Sequence, residues 1–242
     1  PKKKRRRVAP SEPRRTLVPF ERAQSESCAV ACKLYCFPFA GGSSSSFAAW
    51  AKQAPAWLEV VAVEPAGRGS RASEPQPSDS TADAAGLELM AEEIRQDARG
   101  CPTAQVALLG FSMGALMAVE VSQLLGLSLA HVFLAGRAFP ADSPASPDIS
   151  ALNLADGGAV ASEEWETFFL PLLRRDLEVD GRAEARLHQA LGTELRLTCD
   201  LDVFCGLSDA SFAWQTAPSW QAATTAAFES HYFQGGHSFL KT

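Results

Sequence analysis

Val106-Ala107-Leu108-Leu109-Gly110-Phe111-Ser112-Met113-Gly114-Ala115-Leu116 is an apolar run interrupted by Gly-x-Ser-x-Gly and resumed by helix formers. The pattern predicts a buried strand, a sharp turn and a helix, with Ser112 at the tip of a strained elbow. Glycines stand on both sides because the turn brings backbone against backbone and leaves no room for neighbouring Cβ atoms. The serine hydroxyl is then presented at a helix N-terminus.

The same alternation of strand and helix extends outward from the elbow. Apolar strands are expected at Ala29–Phe37, broken only by Lys33, and at Leu58–Val63, His131–Ala135, Leu195–Phe204 and Phe228–Phe233. Helices are expected at Phe47–Ala51, from a Ser80 or Thr81 cap through Leu87, Met90, Ile94 and Ala98, from the elbow to about Leu125, and around Trp214–Ala227. Strands that alternate with helices argue a mostly parallel α/β sheet with helices on both faces. The rhythm changes over 138–194, where Pro140, Pro144 and Pro147 open a loop. Helical patterns follow at Glu163–Phe169 and Leu170–Asp176. An insertion there, over the carboxyl edge of the sheet, reads as a lid.

With 242 residues the chain suits one large α/β domain. It contains no apolar run of ~18 residues and no secretory leader, which predicts a soluble, cytoplasmic protein with no membrane partner. Its net charge of −6 hides an asymmetry: residues 1–22 hold nine Lys or Arg against two Glu, net +7, leaving −13 for the other 220. Residues 1–27 read as a disordered basic tail ahead of a domain at 28–242. Its run Pro1-Lys2-Lys3-Lys4-Arg5-Arg6-Arg7-Val8 looks like a nuclear-import signal, leaving nuclear or organellar targeting open. It equally suits anionic lipid or an acidic carrier protein, and nucleic acid is not the expected partner. Cys28, Cys32, Cys36, Cys101, Cys199 and Cys205 lie in or beside apolar segments without a Cys-x-x-Cys pair, and read as reduced thiols rather than metal ligands.

A serine at such an elbow needs a base, and the base needs an orienting carboxylate. His237 fits the base, on the Gly235-Gly236 loop after the last strand. His131 and His231 fall on strands, and His188 falls in the lid. Asp209, just past a strand end, fits the orienter, with Asp142 as the fallback; Asp200 and Asp202 sit within or before that strand and point elsewhere. The order Ser, Asp, His is the one α/β-hydrolases use. In such enzymes one oxyanion amide comes from a loop between an early strand and helix and the other from the residue after the serine. Ala40, in Phe37-Pro38-Phe39-Ala40-Gly41-Gly42, and Met113 are the candidates.

Five ordered motifs carry a family resemblance: Cys36–Gly42, Pro65–Arg71 with Glu74-Pro75, Gly110–Gly114, Leu170-Pro171-Leu172-Leu173-Arg174-Arg175-Asp176, and Gly235-Gly236-His237-Ser238-Phe239-Leu240. From about Leu34 to Leu240 the chain resembles the type II thioesterases of polyketide and nonribosomal peptide synthesis and the medium-chain thioesterase of animal fatty acid synthase. The resemblance implies an α/β-hydrolase fold, a triad of Ser112, Asp209 and His237, and a thioester on the phosphopantetheine arm of an acyl or peptidyl carrier protein as substrate. No cofactor of the enzyme's own is expected, and the chain is expected to be a monomer. The sequence departs from the family pattern at Phe39, Leu207-Ser208 and Ser238, outside the three triad positions. A carboxylesterase or lipase acting on oxygen esters, and a non-catalytic binding protein on the same scaffold, are the other readings. Arg68, Arg71, Arg174 and Arg175 are expected to form the basic patch that docks an acidic carrier.

Overall fold

Alternation along the central strands sorts their side chains onto two faces. In a computed structural model, residues 15–20, 30–143, 165–191, 193–211 and 213–241 are described. The basic run at 1–8, Cys28 and the 144–164 stretch of the expected lid lie outside the described residues. Strands β1 (Leu17–Pro19), β2 (Cys32–Phe37), β3 (Leu58–Val63), β4 (Gln105–Phe111), β5 (His131–Ala135), β6 (Asp200–Gly206) and β7 (Phe228–Phe233) form one sheet in the order β1-β3-β2-β4-β5-β6-β7. Every pairing is parallel except β1 with β3. The mostly parallel α/β sheet expected from the alternation is therefore what forms.

Helix α1 (Ala48–Gln53) lies against one face of the sheet, where Leu34, Cys36, Val60, Ala62, Ala107 and Leu109 pack with Phe47 and Trp50. Helices α2 (Ser80–Arg99) and α3 (Met113–Leu125), with α4 (Leu170–Ala190) packed against α3, cover the other. There the intervening residues Tyr35, Phe37, Val61, Val63 and Leu108 enter the main core. Each strand thus spends its odd and even positions on different cores, as a two-sided sheet requires. Lys33 survives in this apolar run because its ammonium is paired with Asp97 (2.8 Å) and Glu59 (3.3 Å), and the Tyr35 hydroxyl donates to the same Asp97 carboxylate (2.8 Å). Burial first, and then those carboxylates, push the Tyr35 hydroxyl far above its ordinary pKa.

Several boundaries differ from the sequence reading. The disordered tail does not run to residue 27: β1 adds an antiparallel edge strand, pinned where Glu93 accepts from the Thr16 amide (2.7 Å), the Thr16 hydroxyl (2.8 Å) and the Leu17 amide (3.1 Å). Three residues are too few to show a period, so only the distant carboxylate reveals them. The cap of α2 is Asp79, whose carboxylate accepts from the Thr81 and Ala82 amides at 2.9 Å, in place of Ser80 or Thr81. The strand expected from Leu195 begins at Asp200, and the helix expected at Trp214–Ala227 is a 3₁₀ segment over Trp214–Ala223 containing Pro218, whose missing N–H disfavours an α-helix. Cys36, Cys199 and Cys205 are buried and Cys32 and Cys101 half-buried, all as free thiols; burial pushes the Cys205 thiol up to about 12, which makes it inert.

Candidate active site

Backbone sterics build the elbow. Ser112 joins β4 to α3 with φ 56° and ψ −118°, the one non-glycine residue at positive φ among those described. A Cβ on Gly110 would lie 2.2 Å from the Gly114 carbonyl oxygen, and one on Gly114 would lie 2.1 Å from the Phe37 carbonyl oxygen and 2.7 Å from that of Pro38. Neither position has space for a side chain. The same closeness brings the end of β2 and its following loop against the first turn of α3. The Ser112 amide donates to the Ala135 carbonyl (2.8 Å), tying the strained residue to β5. That bond helps the surrounding sheet hold a conformation costing ~1–3 kcal/mol.

The three residues read from the sequence meet at this point. His237 Nε2 lies 3.0 Å from Ser112 Oγ and its Nδ1 lies 2.8 Å from Asp209 Oδ2. Asp209 follows the end of β6, and its other oxygen accepts from the Ser211 amide (2.8 Å) and the Ser211 hydroxyl (2.5 Å). Burial pushes the Asp209 carboxyl up, but hydrogen bonding and charge from His237, with the two Ser211 donors, outweigh it and hold it below its ordinary pKa. An ionised Asp209 has only acceptors to offer. The Nδ1 proton therefore faces the carboxylate, leaving Nε2 as the acceptor aimed at Ser112. Ser211 Oγ also lies 2.9 Å from His237 Nδ1, and Phe111 stacks on the imidazole with centroids 5.5 Å apart. Ser211 was missed in the sequence; its one signal is its place two residues after an aspartate, the spacing of an Asx turn. Asp142 lies in a short 3₁₀ turn after β5, and His237 is joined to Asp209 instead.

The Gly-Gly loop after β2 folds as a tight turn. The Gly42 amide donates to the Phe39 carbonyl (2.8 Å) and Gly41 takes φ +77°, the left-handed value that the third residue of a type II turn requires. Ala40 is the second residue of that turn. Met113 opens α3, so its amide is among the first four that have no partner within the helix. Both candidate amides thus lie on the two segments that the elbow glycines bring together.

Helix α4 and the turn before it, Trp165–Phe169, make up most of the described part of the lid. Charge as well as apolar packing seats α4: Leu173, Ala183 and Leu187 enter the main core, Arg137 pairs with Asp180 (2.7 Å) and Glu184 (2.9 Å), and Arg182 of α4 pairs with Asp83 of α2 (2.6 Å). Beneath α4 lies a cavity of about 510 Å³ whose wall joins Met90, Met113, Met117, Val179 and Gly86 to the charged pair Arg68 and Asp176. Arg68 and Arg71 are only 7% and 5% exposed, and both are engaged: Arg68 with Asp176, Arg71 with Glu74 (2.6 Å). They therefore do not form the docking patch expected of them; of the four arginines named, Arg174 is exposed and Arg175 is partly so, paired with Glu178.

The other histidines are accounted for. His188, on α4, sits 3.2 Å from the Pro140 carbonyl. His131 and His231 flank Asp202 on the sheet, each with Nε2 3.2 Å from a carboxylate oxygen. Asp202, His231 and Glu229 form the one group among the described residues whose donor atoms lie close enough to hold a metal ion, and it is remote in sequence from the elbow.

A serine on a strand-to-helix elbow, a histidine beyond the last strand and a carboxylate behind it, on a mostly parallel sheet, define a hydrolase of the α/β-hydrolase fold. Within that class the chain belongs to the thioesterase domain family, whose model matches residues 32–242. Thioester hydrolysis is its activity. It is 25% identical to the gramicidin S biosynthesis protein GrsT of Aneurinibacillus migulanus, over 88% of this chain and 84% of that protein. To the medium-chain S-acyl fatty acid synthase thioesterase of Rattus norvegicus it is 29% identical, over 86% and 81%. Among solved structures, YbtT, the type II thioesterase of the yersiniabactin NRPS/PKS biosynthetic pathway, superposes with a TM-score of 0.67 at 26% identity, covering 92% of this chain and 90% of YbtT. No helix among the described residues is long and apolar enough to cross a membrane.

Proposed function

We propose that this chain hydrolyses acyl groups from the phosphopantetheine thioester of an acyl or peptidyl carrier protein, with Ser112 as nucleophile, His237 as base and Asp209 as its orienting carboxylate. The observation that carries this reading is the unbroken hydrogen-bond series Ser112–His237–Asp209 at the elbow of a thioesterase-family chain. In the first half-reaction His237 Nε2 takes the Ser112 proton as Oγ attacks the thioester carbonyl carbon. The amides of Ala40 and Met113 receive the charge that develops on the carbonyl oxygen. Collapse breaks the carbon–sulfur bond, and His237 returns the proton to the departing thiolate. In the second half-reaction His237 takes a proton from water, whose oxygen attacks the Ser112 ester; the acid leaves and Ser112 regains its proton. The cavity whose wall includes Met113 receives the acyl chain, with Met90, Met113, Met117 and Val179 as its apolar part. With the body of the chain acidic, carrier docking draws on a local basic surface at Arg174 and Arg175 and on the basic N-terminal run.

The test is a panel of acyl groups, each offered on a carrier protein, as a small thioester and as an oxygen ester. Highest kcat/KM on the carrier-bound thioester is expected, and preference for oxygen esters would overturn the substrate assignment. Gly86→Leu sharpens it: a Cβ at Gly86 meets nothing within 4 Å, so a leucine there fills the cavity without a backbone clash. Its kcat/KM should fall about tenfold or more for long acyl chains and little for short ones. Replacing a helical glycine should at the same time stabilise the fold by ~0.5–1 kcal/mol. Equal loss across chain lengths would remove the acyl chain from this cavity.

A further inference from the structure

The Asp176 carboxylate is 3% exposed and accepts four hydrogen bonds, from groups 100 or more residues away in sequence. Its Oδ2 accepts from the Gly41 amide (2.7 Å) and from Arg68 Nη1 (2.6 Å). Its Oδ1 accepts from Arg68 Nη2 (2.5 Å) and from Gln76 Nε2 (2.7 Å). Arg68 Nη1 also donates to the Gly42 carbonyl (2.8 Å). One buried, bidentate ion pair therefore grips the Phe39–Gly42 turn at both an amide and a carbonyl, and it does so from the lid helix. Phe169 and Leu173, at the start of α4, add packing: a Cβ on Gly41 would lie 2.8 Å from the Phe169 ring.

The grip falls on the turn's central peptide and on the carbonyl of its last residue, so it fixes where the turn sits; the Ala40 N–H belongs to the preceding peptide, Phe39–Ala40, and is carried with the turn. Types I and II differ by a half-rotation of the central peptide, here Ala40–Gly41, whose N–H is that of Gly41. With Asp176 on that N–H, the opposite orientation would place the Ala40 carbonyl oxygen against a buried carboxylate. Such like-charge contact in a desolvated site is strongly unfavourable. We infer that Asp176 is a positioning residue for oxyanion stabilisation: seated by Arg68, it locks the Phe39–Gly42 turn so that the Ala40 amide is presented beside Ser112, which makes the site competent only while α4 is docked. This rests on the proposed roles of Ser112 and Ala40.

The experiment compares wild type with the paired variant Arg68→Met, Asp176→Leu, which removes the grip without stranding either charge. Replacing a buried ion pair by apolar residues of similar volume is often neutral for stability. Because Arg68 and Asp176 also line the cavity assigned to the acyl chain, each protein is assayed with probes too short to fill it: hydrolysis of an acetyl N-acetylcysteamine thioester and inhibition by trifluoroacetone, whose adduct with a serine carries an oxyanion. Expected are a roughly tenfold to hundredfold lower kcat, a KM within about threefold, and ketone affinity falling in step with kcat/KM. Unchanged kcat and ketone affinity in the folded variant would overturn the inference, as would a rise in KM with kcat preserved. Should the pair fail to fold, Asp176→Asn is measured in the same two assays, and the same losses support or overturn the inference. Ser112→Ala in parallel separates the two levels. Turnover that survives it defeats the underlying assignment, whereas turnover lost with Ser112 but indifferent to Asp176 defeats only the positioning role.

Discussion

Ser112→Ala is expected to lower kcat for acyl thioesters by about 10⁶, the loss seen when the nucleophile of such a triad is removed. Oγ is the group to which His237 Nε2 is aimed, at 3.0 Å, and no other hydroxyl lies against Nε2 among the described residues. The backbone makes a second, independent expectation. At φ 56° the serine is strained by ~1–3 kcal/mol, and alanine inherits that strain in full. Glycine escapes it, at the cost of ~0.5–1 kcal/mol of extra unfolded-state freedom. Relief of strain outweighs that cost, so Ser112→Gly should be as inactive as Ser112→Ala yet melt at a higher temperature. Kinetics with thermal unfolding of the three proteins checks both. A variant that keeps turnover defeats the nucleophile assignment, and a glycine variant less stable than the alanine one shows that the elbow is not strained.

Asp209→Asn should lower kcat at neutral pH by about 10⁴ with KM little changed, because an amide no longer holds His237 in the tautomer that leaves Nε2 free to accept. Stability should respond to pH as well. Asp209 is held below its ordinary pKa, so its ionised form contributes stability above the ordinary carboxylate range, and that contribution is lost as the pH falls through the depressed folded value. The wild type should therefore be more stable than Asp209→Asn at neutral pH, and the gap should close in acid. Ser211→Ala keeps the amide bond to Oδ1 and loses only the hydroxyl one, so it should cost kcat about tenfold or less. A stability gap that stays constant down to low pH would show that Asp209 acts through packing rather than charge.

Most of the fold was legible because its signals are local. Leu34, Val61, Leu108 and Leu134 sit in apolar runs, interrupted only at Lys33 and Glu59, that a two-sided sheet buries, and Gly110 and Gly114 announce a turn with no space for side chains. The strand β1 and the Asp79 cap were not legible in the same way. Each depends on which of several short polar residues finds a partner, Glu93 for the one and the Thr81 and Ala82 amides for the other.

The sequence by itself determined the α/β alternation, the elbow and the order of Ser112, Asp209 and His237, since periodicity, glycine sterics and chain order are properties of neighbouring residues. Only the tertiary structure decided that Arg68 and Arg71 are buried rather than offered to a carrier, that Ser211 completes the surroundings of Asp209, and that Asp176 reaches 135 positions back to the Gly41 amide. The physical reason is that an arginine or aspartate reads as a solvated charge until a partner removes it from water. Which partner that is follows from the packing of α4 on α3 and over the turn after β2, and no local pattern encodes it.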